Sequence, residues 1–499
     1  MSAKLNSAVI VSVTFILFGL SATNCRNSQH KESVAEFSSP FTVNQPAFPE
    51  ERFNVIDFGA VGNGKSLDTE AIQKAIDSCA AKNGGIVDFP AGVYLTGTLF
   101  LSSSVNLHLM KGSVLLGSDR LEDYPETIQE LRSYTDNYTV RSIIYAERKE
   151  NIAITGEGII DGQGAKFGVE YFPYKIRPYM IRMIECKNIL IENISLLNSP
   201  MWVQHYLACD HLTIRDITVA SRRANVNNDG IDIDGCHYVR ITGCDISSED
   251  DGLVFKSTMD RSCENIFVDK CRISSYASAV KMGTESNGGF RNIIIKDVEI
   301  YDTYSSGIAL EIVDGGVLDG IDISDITMDR VNNPIFIRLG NRARPFIDGV
   351  PVTSIGSVRN INIRNVRGTN LGYFSEKLQS RGLGSRRTAH IPSSISGLQG
   401  HPVENVQLEN IHLQYSGGHE QPYDFSRSIP EEEDKYPGNT MFGQLPAYGF
   451  YLRHANNIKF KNVIVETAKH DSRKLFFLDI NTTNVSRDGE TLNETAKSN

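Results

Sequence analysis

"NILIENISLL" at residues 188–197, "HLTIRDITVA" at 211–220 and "YVRITGCDIS" at 238–247 carry one pattern. Apolar and polar residues alternate, a short break follows, and the alternation resumes. "NIFVDKCRIS" at 265–274 and "NIIIKDVEIY" at 292–301 continue it, so the starts fall at steps of 23, 27, 27 and 27 residues. Later copies, "NINIRNVRG" at 360–368, "NVQLENIHL" at 405–413 and "NIKFKNVIV" at 457–465, are spaced more widely where loops intrude. Period-two alternation rich in β-branched residues specifies strands. A period in the twenties leaves no room for crossover helices between them. Both constraints are met by an all-β fold, a right-handed parallel β-helix: a single-stranded solenoid in which each repeat is one coil stacked on the last.

The cysteines follow the same clock. Cys186, Cys209, Cys236 and Cys263 each stand two residues before a repeat start. Eight cysteines in an exported chain invite a disulfide framework, but this regularity predicts a ladder of small buried thiols. No C-x-x-C pair or cysteine–histidine cluster has zinc spacing, so no metal and no cofactor is expected. A solenoid needs its end covered. "SLDTEAIQKAIDSCAAKNGG" at 66–85 predicts an N-terminal capping helix, with capping residues at 66–69, apolar Ile72, Ile76 and Cys79, and glycines to stop it. The insertions at 369–401 and 417–448 are candidate walls of a groove.

The 499 residues therefore form one catalytic-sized domain at 53–483, not three. A signal-like segment precedes it at 1–24, a linker at 25–52, and a polar tail follows at 484–499. Lys4 followed by the apolar core "AVIVSVTFILFGL" at 8–20 reads as an export signal, too short to span a membrane comfortably. Cleavage near Ala22 is expected; Cys25 offers the alternative of a lipid anchor, although "SATN" before it is a poor lipobox. The product is secreted, periplasmic or lipid-anchored at the cell surface. The net charge of −10 and the lack of a long basic run exclude nucleic acid as the partner.

Stacked coils change what spacing means, because residues about one repeat apart become neighbours roughly 4.8 Å apart across a ladder. In "NVNNDGIDIDG" Asp229 precedes one coil; in "SSEDDGLVFKS" Asp250 and Asp251 follow 21 and 22 residues later. These three carboxylates converge on one face. Asp232 and Asp234 alternate with Ile231 and Ile233 and are expected to face solvent. Converged carboxylates suit glycosidic acid–base chemistry: repulsion keeps one protonated as general acid while another activates water. An inverting hydrolase sets acid and base roughly 6.5–9.5 Å apart, a gap that two neighbouring coils bridge. A solvated acidic turn or a calcium site would use the same residues.

With these residues in place, the chain resembles glycoside hydrolase family 28, the polygalacturonase-like pectin hydrolases. The resemblance runs from "FNVIDFGAVGNGKSLDTEAIQKAI" at residue 53 to "AYGFYLRHANNIKFKNV" ending at 463. Its specific motifs are "NNDGIDI", similar to the family's N-T-D-G pattern, "SEDDGLVFKS", similar to its double aspartate, and "SPMWVQHY" and "GIIDGQGAKF". The resemblance implies hydrolysis with inversion, by a monomer, of a pectic polysaccharide or oligosaccharide containing α-linked galacturonic acid. It implies Asp250 as general acid, Asp229 and Asp251 positioning and deprotonating the water, and Asn227, Lys256 and His205 at the substrate. Trp202 reads as a sugar platform or as packing against a coil.

Two departures from the family are plain. No histidine stands in "SSYASAVKMGTES", where the family has G-H-G, and Ala309 and Glu311 occupy the basic positions of its R-I-K clamp in "SGIALEIVDG". An ionised glutamate cannot grip a galacturonate carboxylate, which puts strict endo-polygalacturonase action in question. Lys281, Arg338 and Arg342 are the candidates to supply a clamp from other positions, with Arg453 and His454 further off. Two rival readings use the same fold: a calcium-dependent pectate-lyase-like β-helix, and a non-catalytic glycan-binding one.

Overall fold

The structure, a computed structural model, describes residues 40–168, 176–222, 224–372, 391–424 and 427–493. The expected export segment, Cys25 and the last six residues lie outside them. The strands form a parallel β-helix in which each coil pairs in register with the next. Ile231 and Ile233 lie over Leu253 and Phe255, which lie over Val280 and Met282, then Ile308 and Leu310. These alternate positions point inward and are fully or almost fully buried. Each contributes about 1.5–3 kcal/mol relative to exposure.

The cysteine ladder belongs to this interior. Cys186, Cys209, Cys236 and Cys263 are buried free thiols, with Cys236 Sγ donating to the Tyr206 carbonyl at 3.1 Å. Phe290 and Leu318 take the same position in the next two coils.

The repeat starts are corners. Asn188, Asn265, Asn292, Asn360, Asn405 and Asn457 all adopt left-handed backbone, with φ between 50 and 58°. Asparagine tolerates this region better than other residues with a Cβ. Its amide also stacks: Asn405 donates to Asn360 at 3.1 Å, and Asn457 donates to Asn405 at 2.8 Å. The sharp corner and the hydrogen-bonded ladder explain why most copies begin with Asn; His211 and Tyr238 hold the same left-handed corner in the other two.

The helix Thr69–Ala81 covers the N-terminal end and buries Ile72, Ala75, Ile76 and Cys79. Its cap differs from the expectation. The Asp68 carboxylate turns away from the helix and accepts from the Val61 and Gly62 amides at 2.7 and 3.0 Å, so it ties down the preceding loop. At the other end, strands run past the expected boundary at 483: Thr482–Arg487 pairs antiparallel with Glu490–Leu492. Of the expected walls, most of 369–401 lies outside the described residues. The segment 417–448 packs Ile429, Phe442 and Leu445 on Phe336 and Tyr451. A wall not foreseen from the sequence, around Tyr134 and Tyr138, covers the same face, with the Tyr134 amide donating to the Thr258 carbonyl at 2.8 Å.

Asn405→Ala keeps a Cβ in the left-handed region and removes both ladder hydrogen bonds; each effect is worth on the order of 1 kcal/mol. A free energy of unfolding lowered by about 1–2 kcal/mol in denaturant titrations is expected, with Asn405→Gly less affected because glycine tolerates the corner. Equal losses in the two variants would contradict the backbone explanation.

Candidate active site

On the strands whose inward residues form the core, the alternate residues point outward beneath the walls. His205, Asp232, Val254, Lys281, Ala309 and Phe336 make one such column, coil by coil. Asp234 and Lys256 are paired in the next column, as are Glu311 and Arg338 further along it. Asp229, Asp250 and Asp251 sit where the chain turns into this floor. One carboxylate oxygen from each lies within 4.8 Å of the others.

Glycine makes that approach possible. A Cβ on Gly230 would stand 2.5 Å from the Gly252 carbonyl, and one on Gly252 would stand 2.7 Å from the Ala279 carbonyl. The turn bearing Asp250 and Asp251 is also caged: Ser248 Oγ donates to both their carbonyls at 2.8 and 3.1 Å, and Ser275 Oγ donates to that of Asp250 at 2.6 Å. Arg177 donates to Asn227 Oδ1 at 3.0 Å, and Asn227 Nδ2 reaches Asp250 at 3.4 Å.

Two buried lysines hold the acids. Lys281 Nζ lies 2.9 Å from Asp251 Oδ2, while the Ser278 amide donates to Asp251 Oδ1 at 2.8 Å. Lys256 Nζ lies 3.7 Å from Asp229, 3.7 Å from Asp232 and 3.4 Å from Glu285, over the Trp202 ring at 4.5 Å. Burial, then the charge of Asp251, raises the Asp250 pKa to about 6. Burial, then Asp232 and Asp250, pushes Asp229 well above the usual carboxylate range. Against its own burial, Glu285 is held well below that range by Lys256 and Arg344. Two carboxyls of the trio, Asp229 and Asp250, are thus driven toward their protonated forms, and the third is clamped by an ammonium and an amide.

The trio could hold a cation by its spacing. Two ammonium groups already stand against it, and a divalent ion would meet both. The counter-ions here are lysines.

Several expectations need correction. Asp232 and Asp234 are fully buried, because the walls roof the face that the sequence pattern marks as solvent-facing. Asp234 accepts from Thr258 Oγ1 at 2.6 Å and faces His205 Nε2 at 3.1 Å. His205, expected at the substrate, is fully buried between Tyr179 and Trp202, and burial lowers its pKa to about 4. It is a neutral strut that cannot reach a sugar. Trp202 is 4% exposed and carries Lys256, so its role is packing. Arg338 is fully buried and donates to the carbonyls of Gly397, Glu431 and Glu432, which pins a wall. Arg342 is paired with Asp314 at 2.5 Å. Arg453 is tied to the Ile429 and Pro430 carbonyls, and His454 to Glu431 at 3.1 Å. Neither Arg338 nor Arg342 is a free clamp. The oxygens of the trio also lie closer together than the 6.5–9.5 Å separation expected of an acid and a base.

Other residues at the site, apart from Glu311 at the clamp position, were not anticipated. Glu285 joins Lys256 to Arg344, and the Arg344 guanidinium lies over the Tyr134 ring. Tyr436, from the 417–448 insertion, accepts from Lys281 at 3.2 Å. Glu311 lies one coil beyond Lys281, two residues along from its partner Ala309. The coil register could have placed Glu311; nothing in the sequence places a side chain that descends from a loop.

The model of glycosyl hydrolases family 28 matches residues 125–425. A probable polygalacturonase of Vitis vinifera is 31% identical over 345 residues, 64% of this chain and 68% of that protein. An endo-polygalacturonase of Pectobacterium carotovorum subsp. carotovorum is 27% identical over 296 residues, 54% of this chain and 72% of that protein. Among solved structures, the family 28 exopolygalacturonase of Yersinia enterocolitica superposes with a TM-score of 0.66 at 19% identity, covering 89% of this chain and 80% of that one, a likeness of fold.

Lys256→Met leaves Asp229, Asp232 and Glu285 buried without their shared cation. Breaking a buried ion pair from one side typically costs about 3–5 kcal/mol, and a loss of that order is expected at neutral pH. Acids whose folded pKa is raised favour folding at low pH and oppose it as pH rises. The deficit should therefore grow between pH 5 and 8 in denaturant titrations; a pH-independent deficit would refute the electrostatic account.

Proposed function

The chain belongs to glycosyl hydrolases family 28, and from that premise we propose how its carboxylates cleave a pectic chain. It is a pectin-hydrolysing glycoside hydrolase. The observation that carries the mechanism is the convergence of Asp229, Asp250 and Asp251 within 4.8 Å, with Lys281 on Asp251 and Lys256 on Asp229.

Asp250, with a pKa of about 6, is the general acid. It gives its proton to the glycosidic oxygen as the bond from that oxygen to the anomeric carbon breaks. A water molecule attacks the anomeric carbon from the opposite side, and its proton passes to Asp251. Asp229 accepts the water's second hydrogen bond and orients it. A water donating to two carboxylate oxygens at ordinary lengths spans about 4.4 Å between them, which suits the close spacing of this trio. Both oxygens of Asp251 are engaged, by Lys281 and by the Ser278 amide, and Asp229 is held toward its neutral form. Each is a poor covalent nucleophile, which favours single displacement with inversion. The apolar segment at 8–20 and its polar sequel favour action outside the cytoplasm.

Asp250→Asn keeps the shape and removes the proton. General acid–base contributions are about 10²–10⁴-fold, so kcat on a pectic oligosaccharide should fall by at least about two orders of magnitude. KM should change little, because the lost interaction matters as the bond breaks. The wild-type rate should decline as pH rises through about 6, where Asp250 loses its proton, and the variant should lack that limb. NMR of the first product should show an inverted anomer, and chelation by EDTA should leave the rate unchanged. Near-normal turnover in Asp250→Asn, or products with an ultraviolet-absorbing double bond, would reject the assignment.

A further inference from the structure

The cations bordering the trio, among the described residues, are already engaged by protein groups, four of them by acids. Lys281 holds Asp251 at 2.9 Å, Lys256 bridges Asp229, Asp232 and Glu285, Arg342 holds Asp314 at 2.5 Å, and Arg344 holds Glu285. Arg177 and Arg338 donate to carbonyls and amide oxygens of the surrounding loops. Beside them stands an acid with spare capacity. Glu311 is 2% exposed on the strand Phe290–Ile312, and its Oε2 has no hydrogen-bond partner among the described residues. The charged groups facing it are Lys281, Asp251, Arg342 and Glu285. Its register partner on the next coil, Arg338, turns to the carbonyls of residues 397, 431 and 432. Ala309, beside Lys281 in register, adds no charge and little bulk.

We infer that Glu311, by its charge, makes this site select an uncharged unit on one side of the scissile bond. The unit is a neutral sugar or an esterified uronate; both present hydroxyls and neither carries a carboxylate. This rests on the hydrolase reading above. A free uronate placed there would set a carboxylate against a buried acid whose neighbouring cations are already engaged. At about 4 Å and an effective dielectric near 20, that repulsion corresponds to on the order of 10²–10³-fold in affinity. Burial also raises the Glu311 pKa to about 7, so its charge changes within the working range of pH.

The test compares three oligosaccharides of equal length: an oligogalacturonate, its methyl-esterified form, and one alternating uronate with a neutral sugar. At pH 7.5, kcat/KM on at least one of the latter two should exceed that on the oligogalacturonate by about 100-fold, and the better of them identifies the source of the uncharged unit. Glu311→Gln should narrow this ratio at least tenfold by raising cleavage of the oligogalacturonate; a purely structural role would lower all three rates together. In the unmodified enzyme the ratio should widen from pH 6 to 8 as Glu311 ionises, a measurement that needs no variant and in which the Asp250 limb cancels. Equal or better cleavage of the oligogalacturonate would overturn the inference and leave the hydrolase intact. A ratio indifferent to both pH and Glu311→Gln would remove Glu311 from it. Failure of the folded protein to cleave any of the three would overturn the hydrolase reading and the inference with it.

Discussion

Coils stacked at the spacing of a β-ladder, about 4.8 Å, allow no residue to be independent of the one a coil away. Inside, this produces columns of like with like: Ile231 over Leu253 over Val280 over Ile308. At the corners it produces asparagine on asparagine, where each left-handed residue hydrogen-bonds the next. On the roofed face it forces charges together. Asp229 and Asp251 cannot be stacked this closely, and buried, unless something compensates them.

Lysine is that compensation, and it explains why the acids differ from one another. Lys281 and an amide clamp both oxygens of Asp251, while Asp250 has only Asn227 and a neighbouring amide. Three carboxyls of one residue type thereby receive different partners from their surroundings alone. Buried ion pairs seldom stabilise a fold on balance, because desolvation offsets the attraction. Their persistence here makes sense as chemistry: the network of Lys256, Asp229, Asp232 and Glu285 fixes the floor on which the reacting groups stand.

What could be read from the sequence was whatever the repeat dictates. Strand positions, the buried thiols at Cys209 and Cys236, and the approach of Asp229 to Asp250 and Asp251 all follow from counting one coil. The failures share one cause, which is that alternation says which residues point out but not whether anything covers them. Asp232 and Asp234 point outward as expected, and are buried because the wall around Tyr134 and Tyr138 lies over them. The same roof turns His205 from a sugar contact into a strut. Arg338 was a free cation on paper, since nothing in "IFIRLGNRARP" reveals that the carbonyls of Glu431 and Glu432 lie above it.

This separation has a chemical consequence. The floor, set by coil register, supplies the reacting carboxyls, and a change there alters several neighbours at once, as the shared contacts of Lys256 show. The walls, free of the register, contribute single side chains such as Tyr436 and Arg344. Loop exchange can then change what surrounds the substrate without moving the acids. Glu311 is the exception that sharpens the point. It is a floor residue, one coil from Lys281, with an oxygen that no group among the described residues engages. A position so tightly packed tolerates an unpartnered carboxylate only at a cost, and the rise of its pKa to about 7 is how that cost shows.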